Sequence, residues 1–256
     1  MIKKEINNQI AILTLDRPDK YHSFVKEMAL DLQLKLDECE NDENIRCILI
    51  TATGKAFCAG QDLSEAIDEN SPGLEKIVKE HYNPIIRKIR SIEKPIIAAV
   101  NGVAAGAGLA LSLSCDFRIS TEHGKFTTAF SKVGFSGDFG ISYFLSKLVG
   151  ISKAKELLYF SDVIDGTKAL SLGIVNFLID SNEIKSYTDS LKNKFKNMPP
   201  IAIKYMKKNL NNTDYENLET CLDQEALYQM ICSETEDHKN AVLAFVNKEK
   251  VAFKGK

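Results

Sequence analysis

The most constraining feature of the chain is a nearly uncharged stretch at residues 95–115, PIIAAVNGVAAGAGLALSLSC. Its length is about that of a membrane-spanning helix. However, the Asn101-Gly102 pair favours a tight turn within it, and further glycines follow. We therefore expect a buried strand at 95–100 and a buried helix at 106–115, and no membrane span.

Strand and helix patterns alternate along most of the chain, which favours an α/β core. Short apolar runs rich in branched residues predict strands, and apolar residues recurring every third or fourth position predict helices. Strands are expected at 9–15, 45–52, 95–100, 116–121, 124–130 and 174–179, and helices at about 24–40, 73–92, 106–115, 139–149, 152–160 and 166–172. From about residue 183 onward the pattern is helical and more polar, and Asn83-Pro84 is expected to kink or break the second helix.

A change in composition near residue 195 predicts a division of the chain. We expect a core with the active site at residues 1–195 and a C-terminal helical region at 196–256. The charge balance is nearly even, with 33 Lys and Arg against 35 Asp and Glu, so neither nucleic acid nor an anionic membrane is expected as a partner.

The six cysteines show neither a C-x-x-C pair nor a Cys/His cluster with the spacing of a zinc site. We therefore expect no metal centre. The N-terminal segment leads directly into a strand pattern and lacks the apolar core of a signal peptide. These features together predict a cytoplasmic protein with reduced thiols.

Two segments share one design, in which a buried strand leads into a loop of small residues that opens a helix. They are ILITATGKAFCAGQDL at 48–63 and PIIAAVNGVAAGAGLAL at 95–111. Neither contains G-x-x-x-x-G-K-[ST] or G-x-G-x-x-G, the phosphate-binding motifs. One N–H from each loop would suit a single oxygen atom, as in an oxyanion hole. Close packing of helix on strand explains the same glycines equally well.

Several motifs make the chain resemble the crotonase (enoyl-CoA hydratase/isomerase) superfamily nearly end to end. The most specific are GKAFCAGQDL and KPIIAAVNGVAAGAG, and LDRPDKYHSF, CDFRIS and AFVNKEKVAFKGK also match. The resemblance implies a spiral of ββα turns and a C-terminal helical region that builds homotrimers or homohexamers. It also implies a coenzyme A thioester as substrate, with no metal or redox cofactor. Within the superfamily, FCAGQDL, HYNPIIRKI and AFSKVG are most similar to the ring-epoxide isomerases of phenylacetate breakdown.

The resemblance also implies a thioester-binding site. The backbone N–H groups of Gln61 and Ala107 match the two oxyanion-hole donors of the superfamily. Contacts with substrate or coenzyme A are implied for His22, Ser23, Ala59, Asp62, Leu63, Gly106, Phe130 and Phe135. For His22, a solvated loop histidine is an equally good interpretation.

Hydratases of the superfamily use two glutamates, one to activate water and one to supply a proton. The resemblance places these positions at Ala110 and Phe130, whose side chains are hydrocarbon. Asp138 instead matches the single acid of the isomerase branch. One carboxylate is enough for a proton shift next to a thioester, so the resemblance implies an acyl-CoA isomerase with Asp138 as the base. An enoyl-CoA hydratase with atypical acid and base residues is the alternative.

Asp138 also has a structural interpretation, because it directly precedes a predicted helix and aspartate is a common N-cap. The two roles call for opposite hydrogen bonding. A cap accepts backbone N–H groups, which favour the charged carboxylate and lower its pKa. A base in an apolar pocket with Phe130, Phe135 and Phe139 has a raised pKa.

Four other polar features have simple structural interpretations. His81 lies on an apolar helix stripe and is expected in the core, and Asp116 is expected to pack structurally. Asp62 and Glu65 have the spacing of a capping box. The basic run at 204–210 is typical of a solvated helix face, and attraction of a nucleotide 3′-phosphate is its alternative role.

Overall fold

Two β-sheets organise the chain in the computed structural model, which describes residues 1–66, 72–180, 187, 190–191, 194–213 and 215–256. The strands are β1 (Ile2–Asn7), β2 (Ile10–Leu15), β3 (Cys47–Ala52), β4 (Ala56–Cys58), β5 (Ile96–Val100), β6 (Val103–Ala105), β7 (Phe117–Thr121), β8 (Lys125–Thr127), β9 (Ile164–Asp165) and β10 (Phe177–Ile179). The larger sheet has the order β1-β2-β3-β5-β7-β10, and the smaller sheet has the order β4-β6-β8-β9.

Helices cover the sheets and form the C-terminal region. They are α1 (Lys26–Asn41), α2 (Leu63–Ala66), α3 (Leu74–Ile77), α4 (Asn83–Ser91), α5 (Ala107–Ser114), α6 (Ile141–Val149), α7 (Ile151–Phe160), α8 (Gly166–Ser171), α9 (Pro200–Asn212), α10 (Leu218–Glu234) and α11 (Glu236–Asn247). In α1 the apolar residues Met28, Leu32 and Leu36 recur every four positions and are all buried, which is the pattern that predicted this helix.

From β3 to β8, successive strands alternate between the two sheets. The pairs β3/β4, β5/β6 and β7/β8 each place one strand in the larger sheet and the next in the smaller one, and helices follow each pair. Neighbouring strands are parallel except for β1/β2 and β8/β9. This arrangement confirms the α/β class and the expected spiral of ββα turns.

The smaller sheet brings three loops to one edge. Cys58 at the end of β4 pairs with Ala104 in β6, and Ala105 at the end of β6 pairs with Thr127 at the end of β8. Because these three strands are parallel, their carboxyl ends lie side by side. The loops that follow them begin at Ala59, Gly106 and Thr128 and are therefore neighbours in space.

The stretch at 95–115 forms β5, β6 and α5, and all eight residues of α5 are buried. Within the described part of the chain, no helix is both long and apolar enough to cross a membrane. The last predicted strand is shorter than expected, at Phe177–Ile179. The predicted helical pattern that starts near residue 183 lies partly outside the described residues.

The predicted helix at 73–92 is interrupted at the expected place, but by a π-helical turn. The chain passes from α3 into this turn at Val78–Tyr82 and continues into α4 at Asn83. Pro84 follows in α4 and has no N–H to donate to the preceding turn, where the side-chain amide of Gln33 donates instead to the carbonyls of Glu80 and His81. Single π-turns of this kind are frequent at functional sites.

Helix α9 is attached to the core by a buried lysine. The Lys207 ammonium, on a side chain only 8% exposed, donates to two backbone carbonyls and lies 2.8 Å from Asp116 Oδ2. Asp116 also accepts the N–H that begins β5, which confirms its structural role. The prediction of a solvated face is therefore wrong for Lys207. Lys204 and Lys208 pair with Glu93 at the surface.

Helices α9 to α11 expose many large apolar side chains. They include Met206, Leu210, Leu218, Leu222, Leu227, Met230, Val242, Leu243, Phe245 and Val246. Whether this surface is a subunit interface, and whether 196–256 is a separate region from 1–195, stay predictions.

Candidate active site

Residues 21–24 hold the first glycine loop in place. Tyr21 O accepts the Ala59 N–H at 3.0 Å, Gly60 O accepts the Phe24 N–H at 2.7 Å, and Phe24 O accepts the Asp62 N–H at 2.9 Å. The loop after β4 is therefore paired along its length with a second segment of backbone, which fixes its peptide planes.

The backbone N–H groups of Gln61 and Ala107 share an unusual property. In the bridge between Phe24 and Gln61, Phe24 bonds to the carbonyl of Gly60 and to the N–H of Asp62. The N–H of Gln61 therefore takes no part in this bridge. Ala107 is the first residue of α5, where an N–H has no acceptor within its own helix. Neither N–H donates to another residue in the ranges that the structure describes.

Glycines bring these two loops into contact. Gly60 has φ of 101°, a conformation that L side chains rarely adopt, and a Cβ added there would lie 3.5 Å from Ala107 N. A Cβ on Gly108 would lie 2.1 Å from Cys58 O, so α5 is seated directly against β4. Close packing of helix on strand is confirmed, and it places the two N–H groups at one edge of the smaller sheet. The oxyanion hole stays a prediction.

His22 supports this loop from inside the protein. It is 1% exposed, its Nδ1 accepts the Arg17 N–H at 2.9 Å, and its Nε2 donates to Thr53 O at 2.7 Å. Burial lowers its pKa. The interpretation as a solvated loop histidine is therefore wrong. Ser23 is also buried, and its carbonyl and hydroxyl oxygens both accept from the Arg17 guanidinium.

Asp62 is engaged on both carboxylate oxygens. Oδ2 lies 2.7 Å from the Arg17 guanidinium, and Oδ1 accepts from the N–H and hydroxyl of Ser64. Burial alone would raise the pKa of Asp62, but these partners outweigh it and hold the pKa below its ordinary value. The capping-box prediction is wrong, since Glu65 Oε1 accepts the N–H of Lys26 at the start of α1 instead.

The ring of Phe130 connects the second glycine loop with the loop that carries Asp138. Phe130 Cζ lies 3.8 Å from the Cβ position of Gly106, and Cδ2 lies 3.7 Å from that of Gly137. Phe130 is 6% exposed, so the ring is enclosed between the two loops. About one phenyl ring therefore separates the backbone beside Ala107 from the backbone beside Asp138.

The Asp138 side chain does not cap a helix. Helix α6 begins at Ile141, and the residue before it is Gly140, so no side chain accepts its first N–H groups. Asp138 Oδ1 is buried without a hydrogen-bond partner among the described residues. Burial raises the pKa of Asp138 from 3.8 to about 6. The N-cap interpretation is therefore wrong, and the expectation of a raised pKa is confirmed.

Asp138 lies on the wall of a cavity of about 520 Å³. One side is formed by Leu74, Glu75, Val78, Lys79 and Asn83, and the other by residues 135–140 and Ser142. Of the predicted pocket phenylalanines, Phe135 and Phe139 line this cavity, and Phe130 lies behind it, next to Gly106. The predicted contact residues Ala59 and Leu63 are exposed on the other loop.

The sequence motifs predict no role for the side chains of Tyr82 and Gln61. Tyr82 is fully buried, and its hydroxyl has no hydrogen-bond partner in the described ranges. The side-chain amide of Gln61 is likewise buried and unpaired on both its oxygen and its nitrogen. Tyr82 ends the π-helical turn, and its sequence signals are its place in the HYNPIIRKI stretch and directly before Asn83-Pro84. His81 is buried, as expected.

Comparison with known proteins decides the family. The family model described as enoyl-CoA hydratase/isomerase matches residues 5–256. The chain belongs to the enoyl-CoA hydratase/isomerase family. It is therefore an enzyme of the crotonase superfamily, and an acyl-CoA thioester fits this family as substrate.

Two relatives and one solved structure illustrate the range of this family. The chain is 34% identical to the 1,2-epoxyphenylacetyl-CoA isomerase of Escherichia coli (strain K12), with 100% of this chain and 98% of the relative covered. It is 32% identical to the short-chain-enoyl-CoA hydratase of Clostridium acetobutylicum, with 96% and 95% covered. The crystal structure of an enoyl-CoA hydratase from Polaromonas sp. JS666 superposes with a TM-score of 0.92, at 28% identity and 99% coverage of both chains.

Among the described residues, no group of three or more His, Cys, Asp or Glu side chains is arranged to hold a metal ion. Asp138 is placed to exchange protons at the cavity wall, and the N–H groups of Gln61 and Ala107, unpaired among the described residues, lie on loops beyond Phe130 and outside the lining of this cavity.

Proposed function

We propose that this enoyl-CoA hydratase/isomerase family member is an acyl-CoA isomerase with Asp138 as its single base. The observation that carries the proposal is the state of this carboxylate. It lies on a cavity wall, its Oδ1 is unpaired, and burial raises its pKa to about 6. A general base works best when its pKa lies near the operating pH, since it is then ionised and still strongly basic.

The unpaired N–H groups of Gln61 and Ala107 would bind the thioester carbonyl oxygen. When a proton leaves the carbon next to this carbonyl, negative charge develops on the oxygen as an enolate forms. Each such donor is worth about 10²- to 10³-fold in rate. The contact of the two loops at Gly60 supports this assignment, because both donors lie at one edge of the sheet.

The proposed reaction is a 1,3-proton shift. Asp138 removes a proton from C2 of a 3-enoyl thioester, and the electron pair is delocalised onto the carbonyl oxygen. The same group, now a carboxylic acid, returns a proton to C4, and the double bond moves to C2–C3. The step consumes no water and needs no cofactor beyond the coenzyme A that the substrate carries.

The remaining predicted contacts have proposed roles that fit their positions. Ala59 and Leu63 are exposed beside Gln61 and would contact coenzyme A. His22, Ser23 and Asp62 are engaged within the protein, so we propose that they support the loop and that His22 reaches coenzyme A only through its backbone. Gly106, Phe130 and Phe135 would line the path of the acyl chain, between the donors and Asp138.

Hydration is the alternative reaction, and the name of the Clostridium relative favours it. Addition of water calls for one group to activate the water and another to supply a proton. Ala110 is fully buried and Phe130 is nearly so, and neither side chain can transfer a proton. A hydratase would therefore need an atypical second group.

The test compares two thioesters with the purified protein. 3-Hexenoyl-CoA reports isomerisation through the appearance of the conjugated thioester, and crotonyl-CoA reports hydration through its loss. We expect fast isomerisation and slow hydration. Fast loss of the crotonyl chromophore with only slow isomerisation would overturn the proposal in favour of the hydratase.

We also propose assembly into a homotrimer or homohexamer through α9 to α11. The large apolar side chains that these helices expose support this proposal. Light scattering coupled to gel filtration tests it, and a monomer at micromolar concentration would contradict it.

A further inference from the structure

Tyr82 lies behind the cavity wall. Its ring packs on Phe139, which lines the cavity, and Val78 at the other end of the same π-helical turn lines the cavity as well. Asn83, the next residue, lines the cavity again. The π-helical turn ends at Tyr82, so the backbone distortion coincides with the residue whose hydroxyl is buried and unpaired.

An aromatic cluster places the Tyr82 ring between the two loops of the site. Its centroid lies 4.8 Å from that of Phe139 and 6.0 Å from that of Phe24. Phe139 follows Asp138 directly, and Phe24 pairs with Gln61. The tyrosine is therefore packed against the neighbours of both functional groups.

The titratable groups near enough to act electrostatically on the Tyr82 hydroxyl are Asp138, Glu65, Cys58 and Asp62. Burial raises the pKa of Tyr82 far above its ordinary value, and these groups raise it further, Asp138 most among them. On the same helical segment, Lys79 pairs with Glu75, and burial lowers the pKa of His81. The hydroxyl is thus a neutral donor, and acidic groups from two other segments lie near it.

Three of these four groups are already engaged. Cys58 Sγ donates to His22 O at 3.1 Å. Asp62 is held by Ser64 and Arg17, and Glu65 accepts the N–H that begins α1. Asp62 Oδ2 has no hydrogen bond of good geometry, but it forms the ion pair with Arg17, whereas Asp138 Oδ1 is buried with no partner among the described residues. A buried donor without an acceptor therefore lies on Tyr82, which packs on Phe139, and a buried acceptor without a donor lies on Asp138, the residue before Phe139.

We propose that Tyr82 is a positioning residue for Asp138, whose Oδ1 accepts a hydrogen bond from the tyrosine hydroxyl while an acyl group occupies the cavity. This bond would fix the carboxylate so that Oδ2 exchanges the proton with the substrate. The proposal rests on Asp138 being the base. Unpaired buried polar groups are costly, so filling the cavity and excluding water favours closing this pair.

The bond has a predictable effect on ionisation. A hydrogen bond donated to a carboxylate favours the charged form, so its loss raises the pKa of Asp138. Tyr82→Phe removes the hydroxyl and keeps the ring between Phe24 and Phe139. The matched control is Tyr159→Phe, which makes the same substitution at an exposed tyrosine.

The decisive measurement is the ionisation of Asp138 in the full-length protein with bound hexanoyl-CoA, which has no double bond to move. The carboxyl carbon is followed by NMR after labelling with ¹³C-aspartate, and Asp138→Asn assigns the signal. We expect Tyr82→Phe to raise the pKa of Asp138 by about one unit, which is a tenfold change in the ionisation constant. Tyr159→Phe should leave it where it is in the wild type.

Turnover gives the second readout. With 3-hexenoyl-CoA, Tyr82→Phe should lower kcat by about tenfold, leave KM nearly unchanged, and move the acid limb of the pH profile upward by about one unit. The proposal is overturned if the pKa of Asp138 is the same in Tyr82→Phe and in the wild type. It is also overturned if the protein does not bind hexanoyl-CoA. A lower kcat without a pKa shift also overturns it, because the hydroxyl would then act on the substrate.

These outcomes are separate from those of the proposed function. If Asp138→Asn retained full turnover, the isomerase mechanism would be wrong. The NMR titration would still decide whether Tyr82 and Asp138 interact.

Discussion

The donor loops, residues 59–62 and 106–107, and the acid loop, residues 134–140, meet around Phe130 but are built by different means. The donor loops offer main-chain N–H groups, which are held by strand pairing, by helix α5 and by contacts that admit no Cβ. The acid loop offers one side chain, which lies on a cavity wall and has an unpaired oxygen. The first half of the site therefore depends on backbone geometry, and the second depends on the identity of one residue.

The largest expected effect is on kcat/KM, and it comes from replacing a side chain in the acid loop but not in the donor loops. Asp138→Asn keeps the shape but removes the base, so kcat/KM for 3-hexenoyl-CoA should fall by about 10²- to 10⁴-fold. Gln61→Ala keeps the backbone N–H and should lower kcat/KM by less than about tenfold. Steady-state kinetics with calorimetric binding of hexanoyl-CoA measures both. Similar losses in the two variants would contradict the comparison.

The second-largest effect comes from the opposite kind of change, one that alters the backbone geometry of the donor loops and leaves Asp138 and Gln61 in place. Gly108→Ala would place a Cβ 2.1 Å from Cys58 O, so α5 must shift and carry the Ala107 N–H with it. We expect a loss of about 1–3 kcal/mol in the free energy of unfolding and about a 10²-fold loss in kcat/KM.

Gly150→Ala is the control for this experiment. Gly150, unlike Gly108, has a positive φ of 77°, and none of the described residues has an atom within 4 Å of its Cβ position. With ψ of 156° it lies in a region essentially confined to glycine, so the alanine variant should lose about 1–3 kcal/mol in the free energy of unfolding and keep its activity. Equal kinetic losses in the two alanine variants would show that instability is the cause, and not donor geometry.

The third effect concerns pH. The proposed base, Asp138, must be ionised to act, and burial raises its pKa to about 6, so kcat/KM should fall about tenfold per unit of pH below this value. The donor loops contribute neutral N–H groups and no titration of their own. A pH profile of kcat/KM from pH 5 to 8 tests this, and a flat profile across that range would exclude Asp138 as the base.

The smallest effect is on stability. Because the pKa of Asp138 in the folded protein lies above the ordinary value of 3.8, the folded state binds more protons between pH 3.8 and about 6, and its stability falls as pH rises through this window. Asp138→Asn avoids the buried charge and should be about 1–3 kcal/mol more stable than the wild type at pH 7. The difference should vanish near pH 4. Urea unfolding at the two pH values measures it, and a variant less stable at pH 7 would contradict the desolvation of Asp138.

Much of the fold was predictable because its signals are local. The apolar repeats of α1 and the branched residues of β3 depend only on neighbouring positions. The roles of Glu65 and Lys207 were not predictable from such signals. Glu65 accepts a hydrogen bond from the start of α1, 39 positions away, and Lys207 is buried by contacts with segments 91 to 118 positions away. Local spacing therefore predicted a capping box and a solvated face where the structure has long-range contacts.

The sequence by itself determined the family, the two glycine loops and the single acid at Asp138, because these are properties of residue types in a short order. The tertiary structure decided that Asp138 does not cap α6, that His22 is buried, and that Tyr82 packs on Phe139, next to Asp138, with a hydroxyl that has no partner among the described residues. These outcomes depend on which segments exclude water from a given polar atom. The physical reason is that desolvation and hydrogen-bond pairing are set by atoms far apart in the chain, and no local pattern records them.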